Sequence, residues 1–468
     1  MEERFPQTKE TQPELLAHHY TEAGLIEQAI PYWSEAGQKA SQRFANAEAI
    51  THLTRGLEQL KALPDSLSRA QQELVLQITL GNALLATQGY TAPEVVNTYT
   101  RARALCLQLG DTPQLFPVLW GLWSGSLLKA ELQKARELGE QLLHLAERVQ
   151  DAALLLEAHY ALGGTLFHLG ELTLARAHLE QAIGLYNPHQ HRFQAILYGQ
   201  EDRGITSPSY AAWALWHLGY GDQALATARS ALTLAHKLAP PFSRAFAFGF
   251  AARLHLFRRE RDLTKEQAKA LIELSIEQGF SYWLAFGTIL QGWALTEQSQ
   301  GEEGIKQMHQ GLAAHMAMGA KLTRPQFLAL VAEVHGIQGR VEEGLVVLSE
   351  ALALMDETGE RWYEAELYRL KGELTLQGKD QSLRAQVKEE AEACFLKAID
   401  IARRQQAKSL ELRASTSLAR LWQQQGKRTE AHKQLSAIYN WFTEGFDTKD
   451  LQEARTLLET LAGESADT

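Results

Sequence analysis

The chain repeats itself at fixed offsets, and that repetition restricts the folds open to it more than any other feature. In residues 162–183, Leu162-Gly163, Leu166, Gly170, Ala175, Leu179 and Ala182-Ile183 stand at offsets 0, 1, 4, 8, 13, 17, 20 and 21. Residues 418–439 place Leu418-Ala419, Trp422, Gly426, Ala431, Leu435 and Ile438-Tyr439 at the same offsets. Residues 16–37 do so with Leu16-Ala17, Tyr20, Gly24, Ala29, Trp33 and Ala36-Gly37, and residues 211–232 with Ala211-Ala212, Leu215, Gly219, Ala224, Ala228 and Ala231-Leu232. Apolar positions three or four apart on either side of the glycine make two amphipathic helices. Small residues where the helices cross permit close approach, and the glycine supplies the left-handed residue that ends the first helix. One such hairpin cannot bury its apolar face alone, so neighbouring hairpins must stack.

This arrangement resembles the tetratricopeptide pattern. The small residue opening each second helix falls near Ala135, Ala175, Ala224, Ala268, Gly304, Gly344, Ala391 and Ala431, mostly 40 to 49 apart, against the usual period of about 34. Alternating Val/Ile/Thr runs with turn pairs are missing, so no strands are expected. The reading is an all-α fold, a right-handed helical-hairpin (TPR-like) solenoid with a repeat of about 40 residues and roughly 20 to 23 helices. It predicts a disordered tail over 1–12, the solenoid over 13–446, a capping helix over 447–463 and a second tail over 464–468. Residues 187–209 read as a long loop between hairpins, a length that often serves function. Residues 378–390 read as a lengthened turn with a solvated helix extension, and 89–94 as a shorter insertion.

Composition excludes several alternatives. Apolar residues make up 45% of the 468 positions and charged residues 22%, the balance of a globular chain. Two cysteines, Cys106 and Cys394, form no C-x-x-C pair, which argues against a disulfide framework or a thiolate zinc site. The polar opening MEERFPQTKETQPE and the lack of a long apolar run predict a cytoplasmic protein without a membrane span. A net charge of −10 disfavours indiscriminate binding to nucleic acid.

Catalytic motifs are missing from the sequence. Gly378-Lys379 and Gly426-Lys427 lack the upstream glycine and following hydroxyl of a phosphate cradle, and Gly163-Gly164 sits within a helix pattern. His18 and His19 are adjacent and point about 100° apart on a helix, so they cannot share an ion. His189 and His191 have no acidic neighbour before Glu201 and Asp202. The expectation is no enzyme activity, no metal and no cofactor.

Binding is the remaining class of function. The first helix of each pair lines the concave face of such a solenoid, and its inward positions select Trp120, Tyr160, Phe167, His168, Trp213, Trp216, His217, Phe246, Phe250, Phe286, Trp293 and Tyr368. An aromatic groove of this kind suits an apolar peptide segment, a partner helix or a flat small ligand. The 187–209 loop would fold across it, bringing Arg192, Tyr198 and Arg203 to the ligand. A separate basic run, Arg403, Arg404, Lys408, Arg413, Arg420, Lys427, Arg428 and Lys433, faces only Glu411 and Glu430 in the same stretch. Its sparse aromatic content makes nucleic acid an unlikely partner.

A narrower resemblance is carried by longer segments. The opening PELLAHHYTEAGLIEQAIPYWSEAGQKASQRFANAEAITHLTRGLEQLKALP is similar to the junction that follows the ATPase core in large bacterial signal-transduction ATPases with numerous domains. GYTAPEVVNTYTRARALC, HRFQAILYGQEDRGI and SYAAWALWHLGYGDQALA resemble the C-terminal repeat region of predicted ATPases fused to class III adenylate/guanylate cyclases. The likeness covers roughly residues 13–445. It implies a region that senses an inducer or partner on behalf of a cyclase or ATPase module. None of the nucleotide-binding motifs of that family is present, so no catalytic residue carries over. The resemblance implies either a detached C-terminal piece or a stand-alone sensor or adaptor.

Overall fold

The computed structural model describes residues 11–89, 91–110, 112–188, 201–238, 240–296, 301–378 and 384–463. The expected tails fall almost wholly outside these residues. Among the described residues there are 22 α-helices and no strand. Three come first: α1 (Pro13–Glu22), α2 (Ile26–Gln42) and α3 (Asn46–Leu60). Hairpins of an inner and an outer helix follow. They are α4 (Leu67–Gln88) with α5 (Pro93–Leu109), α6 (Leu115–Leu128) with α7 (Leu132–Val149), and α8 (Ala152–His168) with α9 (Leu172–Leu185). Next come α10 (Arg203–His217) with α11 (Gly221–Leu238), α12 (Pro241–Phe257) with α13 (Arg261–Gln278), and α14 (Ser281–Leu295) with α15 (Gly301–Ala317). The last are α16 (Arg324–Ile337) with α17 (Val341–Thr358), α18 (Glu364–Gln377) with α19 (Arg384–Arg404), and α20 (Lys408–Gln424) with α21 (Arg428–Tyr439), before a final α22 (Lys449–Gly463).

Burial follows the sequence pattern of each helix. Outer helices are amphipathic: α9 buries only Leu172, Ala175, Leu179 and Ala182. The inner helices α6, α8, α12 and α14 are apolar nearly all round, which requires cover on every side. In α12 every residue from Ala245 to Phe257 is buried. The four glycines of the repeat signature do turn left-handed, with φ of 71° at Gly24, 78° at Gly170, 96° at Gly219 and 78° at Gly426. The small residue that follows is the fourth of the outer helix in α7, α9, α11, α15, α17 and α21. In α13 that place belongs to Thr264, one turn before the expected Ala268, because the helix begins at Arg261.

Gln150 takes the same left-handed conformation at the end of α7, with φ of 55°, although it has a side chain and is exposed. A left-handed L-residue costs about 1–2 kcal/mol, while glycine adds some entropy to the unfolded chain. Gln150→Gly should therefore stabilise the protein by about 0.5–1 kcal/mol, read as a higher urea midpoint at unchanged m-value. A lower midpoint would contradict this account of the turn.

Successive hairpins wind into a coil that closes on itself. Leu128, the last residue of α6, accepts through its carbonyl from the amides of Lys321 (3.0 Å) and Leu322 (3.2 Å), just ahead of α16. His168, the last residue of α8, accepts from the amide of Arg361 (2.8 Å) ahead of α18. Near the end of α10, Trp216 accepts from the hydroxyl of Ser409 at the start of α20. Each of these three inner helices thus ends where the inner helix five hairpins later begins. Helix termini leave carbonyls and amides without partners inside the helix, and here some satisfy each other with the helix dipoles running head to tail.

Candidate ligand chamber

Closure turns the concave face into an interior. Trp120 (1% exposed), Phe167 (0%), Trp213 (1%) and Phe286 (2%) are shut away from solvent, so the open aromatic groove expected from the sequence is not present. The coil's own next turn covers it, because Trp362 from the segment before α18 packs on Phe167 at 5.2 Å and on His217 at 5.4 Å. What remains is a chamber enclosing about 50 Å³, walled by Trp120, Tyr160, His168, Trp213, Phe246, Phe250 and Phe286 among the expected residues. Trp213 and Phe250 stack at 3.7 Å and Phe246 on Phe250 at 4.0 Å, so the wall is a continuous run of rings.

Other expected site residues lie elsewhere. Phe167, Trp216 and His217 pack around Trp362 and Phe257. Trp293 borders a second, polar cavity of about 150 Å³ and donates through Nε1 to Glu333 at 3.0 Å. Tyr368 is half-buried and apart, its ring 3.9 Å from Lys397 Nζ. Arg192 and Tyr198 lie outside the described residues. Arg203 is not on a loop: it opens α10, which starts at 203 and runs through Pro208. The expected 187–209 loop is therefore shorter, because Asp202 caps α10 by accepting from the Gly204 amide at 2.9 Å.

Arg203 holds a buried charge cluster beside the chamber. Its guanidinium donates to Glu157 (2.7 Å) and Glu201 (2.6 Å) and lies 4.0 Å over the Tyr160 ring. Tyr160 donates to Glu201 at 3.1 Å. Burial pushes the Glu157 carboxyl up to about 7, and Arg203 only partly opposes this. Two carboxylates share one guanidinium, and burial of the surplus negative charge favours the protonated form of Glu157.

Several chamber residues escape the repeat rule: Trp123, Tyr210, Arg253, Tyr282, Trp283, Leu322 and Thr323. Arg253 had a visible signal, as the sole full charge between Arg244 and Arg258 in the apolar run of α12. Leu322 and Thr323 belong to the next turn of the coil, which no local pattern reveals. Thr323 is left-handed with φ of 65°, rare for a β-branched residue. Its amide donates to both Glu360 oxygens at 3.2 and 3.0 Å.

The polar cavity is balanced in charge, with Arg259, Arg369, Arg413 and Arg420 facing Glu333, Glu366, Asp450 and Glu453. Burial works to raise the Glu366 carboxyl, but Arg369 and Arg413 outweigh it and hold it down at about 2. Of the basic run, Arg403, Arg404, Lys408, Arg413, Arg420 and Lys427 are in ion pairs. Among the described residues no three His, Cys, Asp or Glu side chains gather as a metal site, and no helix is long and apolar enough to cross a membrane.

No family profile matches the chain. It is similar to an uncharacterized protein of Rhizobium meliloti (strain 1021), 23% identical over 410 residues. The match covers 87% of this chain but 39% of that protein, so the chain spans about two fifths of its relative's length. Among solved structures it is similar to a Rap protein complexed with competence and sporulation factor, at 11% identity and a TM-score of 0.43, covering 92% of this chain and 99% of that one. It is also similar to yeast Tom70 (11%, TM-score 0.36, covering 100% and 97%) and to the human IFIT1 dimer with PPP-AAAA (14%, TM-score 0.45, covering 92% and 95%).

Proposed function

We propose that this protein is a non-catalytic sensor whose internal chamber takes a small ligand and which acts through another protein. The observation that carries this is the position of the chamber between two turns of the coil. Leu127 and Leu128 at the end of α6 and Leu322 and Thr323 ahead of α16 share its wall, and the Lys321 and Leu322 amides bond the Leu128 carbonyl beside it. A ligand there touches both sides of the closing contact, so it binds the closed coil better than an opened one and shifts the population toward closure. A small inducer fits this interior better than a peptide segment, because the expected peptide groove is filled by the coil's own aromatic side chains.

The test fills the chamber. Ser124 lines it, is 2% exposed and donates only to the Gly121 carbonyl of its own helix. Wild type and Ser124→Leu are titrated with compact probes (acetate, acetamide and propanol) while tryptophan emission and amide exchange are followed. The expected result is a saturable change in wild type with at least one of these probes, with slower exchange at Lys321 and Leu322, and none in Ser124→Leu. An unchanged response in the filled variant would place the ligand elsewhere and end this reading.

The resemblance of the repeat segments suggests a second reading, in which the chain is the regulatory region of a nucleotide cyclase or ATPase assembly. Co-purification with a polypeptide identified as such an enzyme would support it.

A further inference from the structure

The chamber's most unusual wall residue is Arg253. It is 0% exposed, and Nε and both terminal nitrogens have no hydrogen-bond partner. Three rings surround it: Phe286 at 4.2 Å, Trp213 at 5.0 Å and Phe327 at 5.0 Å from the guanidinium carbon. Rings stabilise the faces of a guanidinium, but its N–H donors radiate in its plane and need acceptors. Burial accordingly pulls Arg253 down to about 10.

The nearby carboxylates are committed elsewhere. Glu360 takes the Thr323 amide and the Trp362 indole N–H, and lies 3.3 Å from His168 Nδ1. Glu201 takes Arg203 and Tyr160. A second polar atom in the same wall, the Thr323 hydroxyl, is also buried without a partner. The buried ring of His315, adjacent at Tyr282 and Phe327, has both nitrogens unpartnered and is held neutral, at about 3, by burial and then by Arg253 and Arg324. Buried polar atoms are rarely left unpaired in native proteins, and one buried cation with a neighbouring hydroxyl on an apolar wall describes half of an anion site.

Resting on the sensor reading above, we propose that the chamber ligand is a compact monocarboxylate. Its carboxylate accepts from the N–H groups of Arg253 and from the Thr323 hydroxyl, and its short apolar part lies against Trp213, Phe250 and Phe286. A planar carboxylate matches the guanidinium fork, which a spherical halide does not. A single charge matches the single unpaired cation, whereas phosphate would bring surplus charge toward Glu360 and Glu201. The space also sets a ceiling, since about 50 Å³ admits a few heavy atoms when a water needs roughly 10–15 Å³ on the same measure.

The experiment titrates the full chain with sodium acetate, sodium phosphate and acetamide at constant ionic strength set by sodium chloride, following tryptophan emission and melting temperature. Acetate should bind saturably and raise the melting temperature, and phosphate and acetamide should do neither. Arg253→Lys keeps the charge and loses the fork, and should weaken acetate about 10-fold. Arg253→Met should abolish the response and melt no lower than wild type without acetate, because it removes an unpaired buried cation. If Arg253→Met does not fold, Thr323→Val carries the test and should weaken acetate about 10-fold at little change in melting temperature. Equal binding of acetamide and acetate, or a response that survives in the Arg253 variants, would overturn the anion assignment and leave the chamber reading standing. Silence from every probe, with Ser124→Leu indistinguishable from wild type, would remove both.

Discussion

Arg203→Met should destabilise the protein by about 3–5 kcal/mol, the effect of breaking a buried ion pair from one side. The side chains of Arg203 and Glu157 are each 2% exposed and that of Glu201 is 5%, so methionine would leave both carboxyl groups without their cation and with no solvent to receive them. Urea unfolding followed by circular dichroism at pH 7 measures the loss, and a loss below about 1 kcal/mol would contradict the role given to this cluster. Adding Glu157→Gln to the variant should recover part of it. The pH dependence has a definite sign. The folded Glu157 carboxyl is raised from about 4.5 to about 7, so its contribution is fully present below the unfolded value and is lost as pH rises through about 7. Glu157→Gln alone should therefore flatten the decline in stability between about pH 4.5 and pH 7.

Gly304→Ala should cost about 3 kcal/mol, the upper part of the range for overpacking. A Cβ at Gly304 would lie 2.6 Å from the Gly292 carbonyl oxygen, and a Cβ at Gly292 would meet the Gly304 carbonyl at the same distance. Both obstacles are backbone, so no rotamer change relieves them and α14 must part from α15. Gly184 in α9 provides the control, since nothing lies within 4 Å of a Cβ built there. Gly184→Ala should be neutral or stabilising by up to about 1 kcal/mol. Comparable losses for both variants would show that the close approach of α14 and α15 is not what Gly304 serves.

The hairpins were legible because their causes are local. A left-handed Gly170 and a small Ala175 act within one turn of sequence, and the Gly163 position confirms why: a Cβ there would lie 2.6 Å from Leu179 Cγ. The start of α10 was harder to read. A proline, Pro208, lies inside the helix, while the signal that decides its start, the Asp202 cap, sits six residues earlier. The concave-face rule found the rings that face inward but carried no information on how tightly the coil winds. That depends on contacts such as Arg361 to His168, which are 193 residues apart and belong to no repeat. The basic run shows the same limit, since Arg413 meets Asp450 at 2.8 Å only after folding.

The end-to-start contacts between inner helices have a mechanical consequence. In an open array each repeat leans only on its two neighbours, and the array frays from its tips one unit at a time. Here α6 leans on α16, α8 on α18 and α10 on α20. A spring wound until its coils touch does not stretch in proportion to the pull. It holds its length, and then it yields all at once.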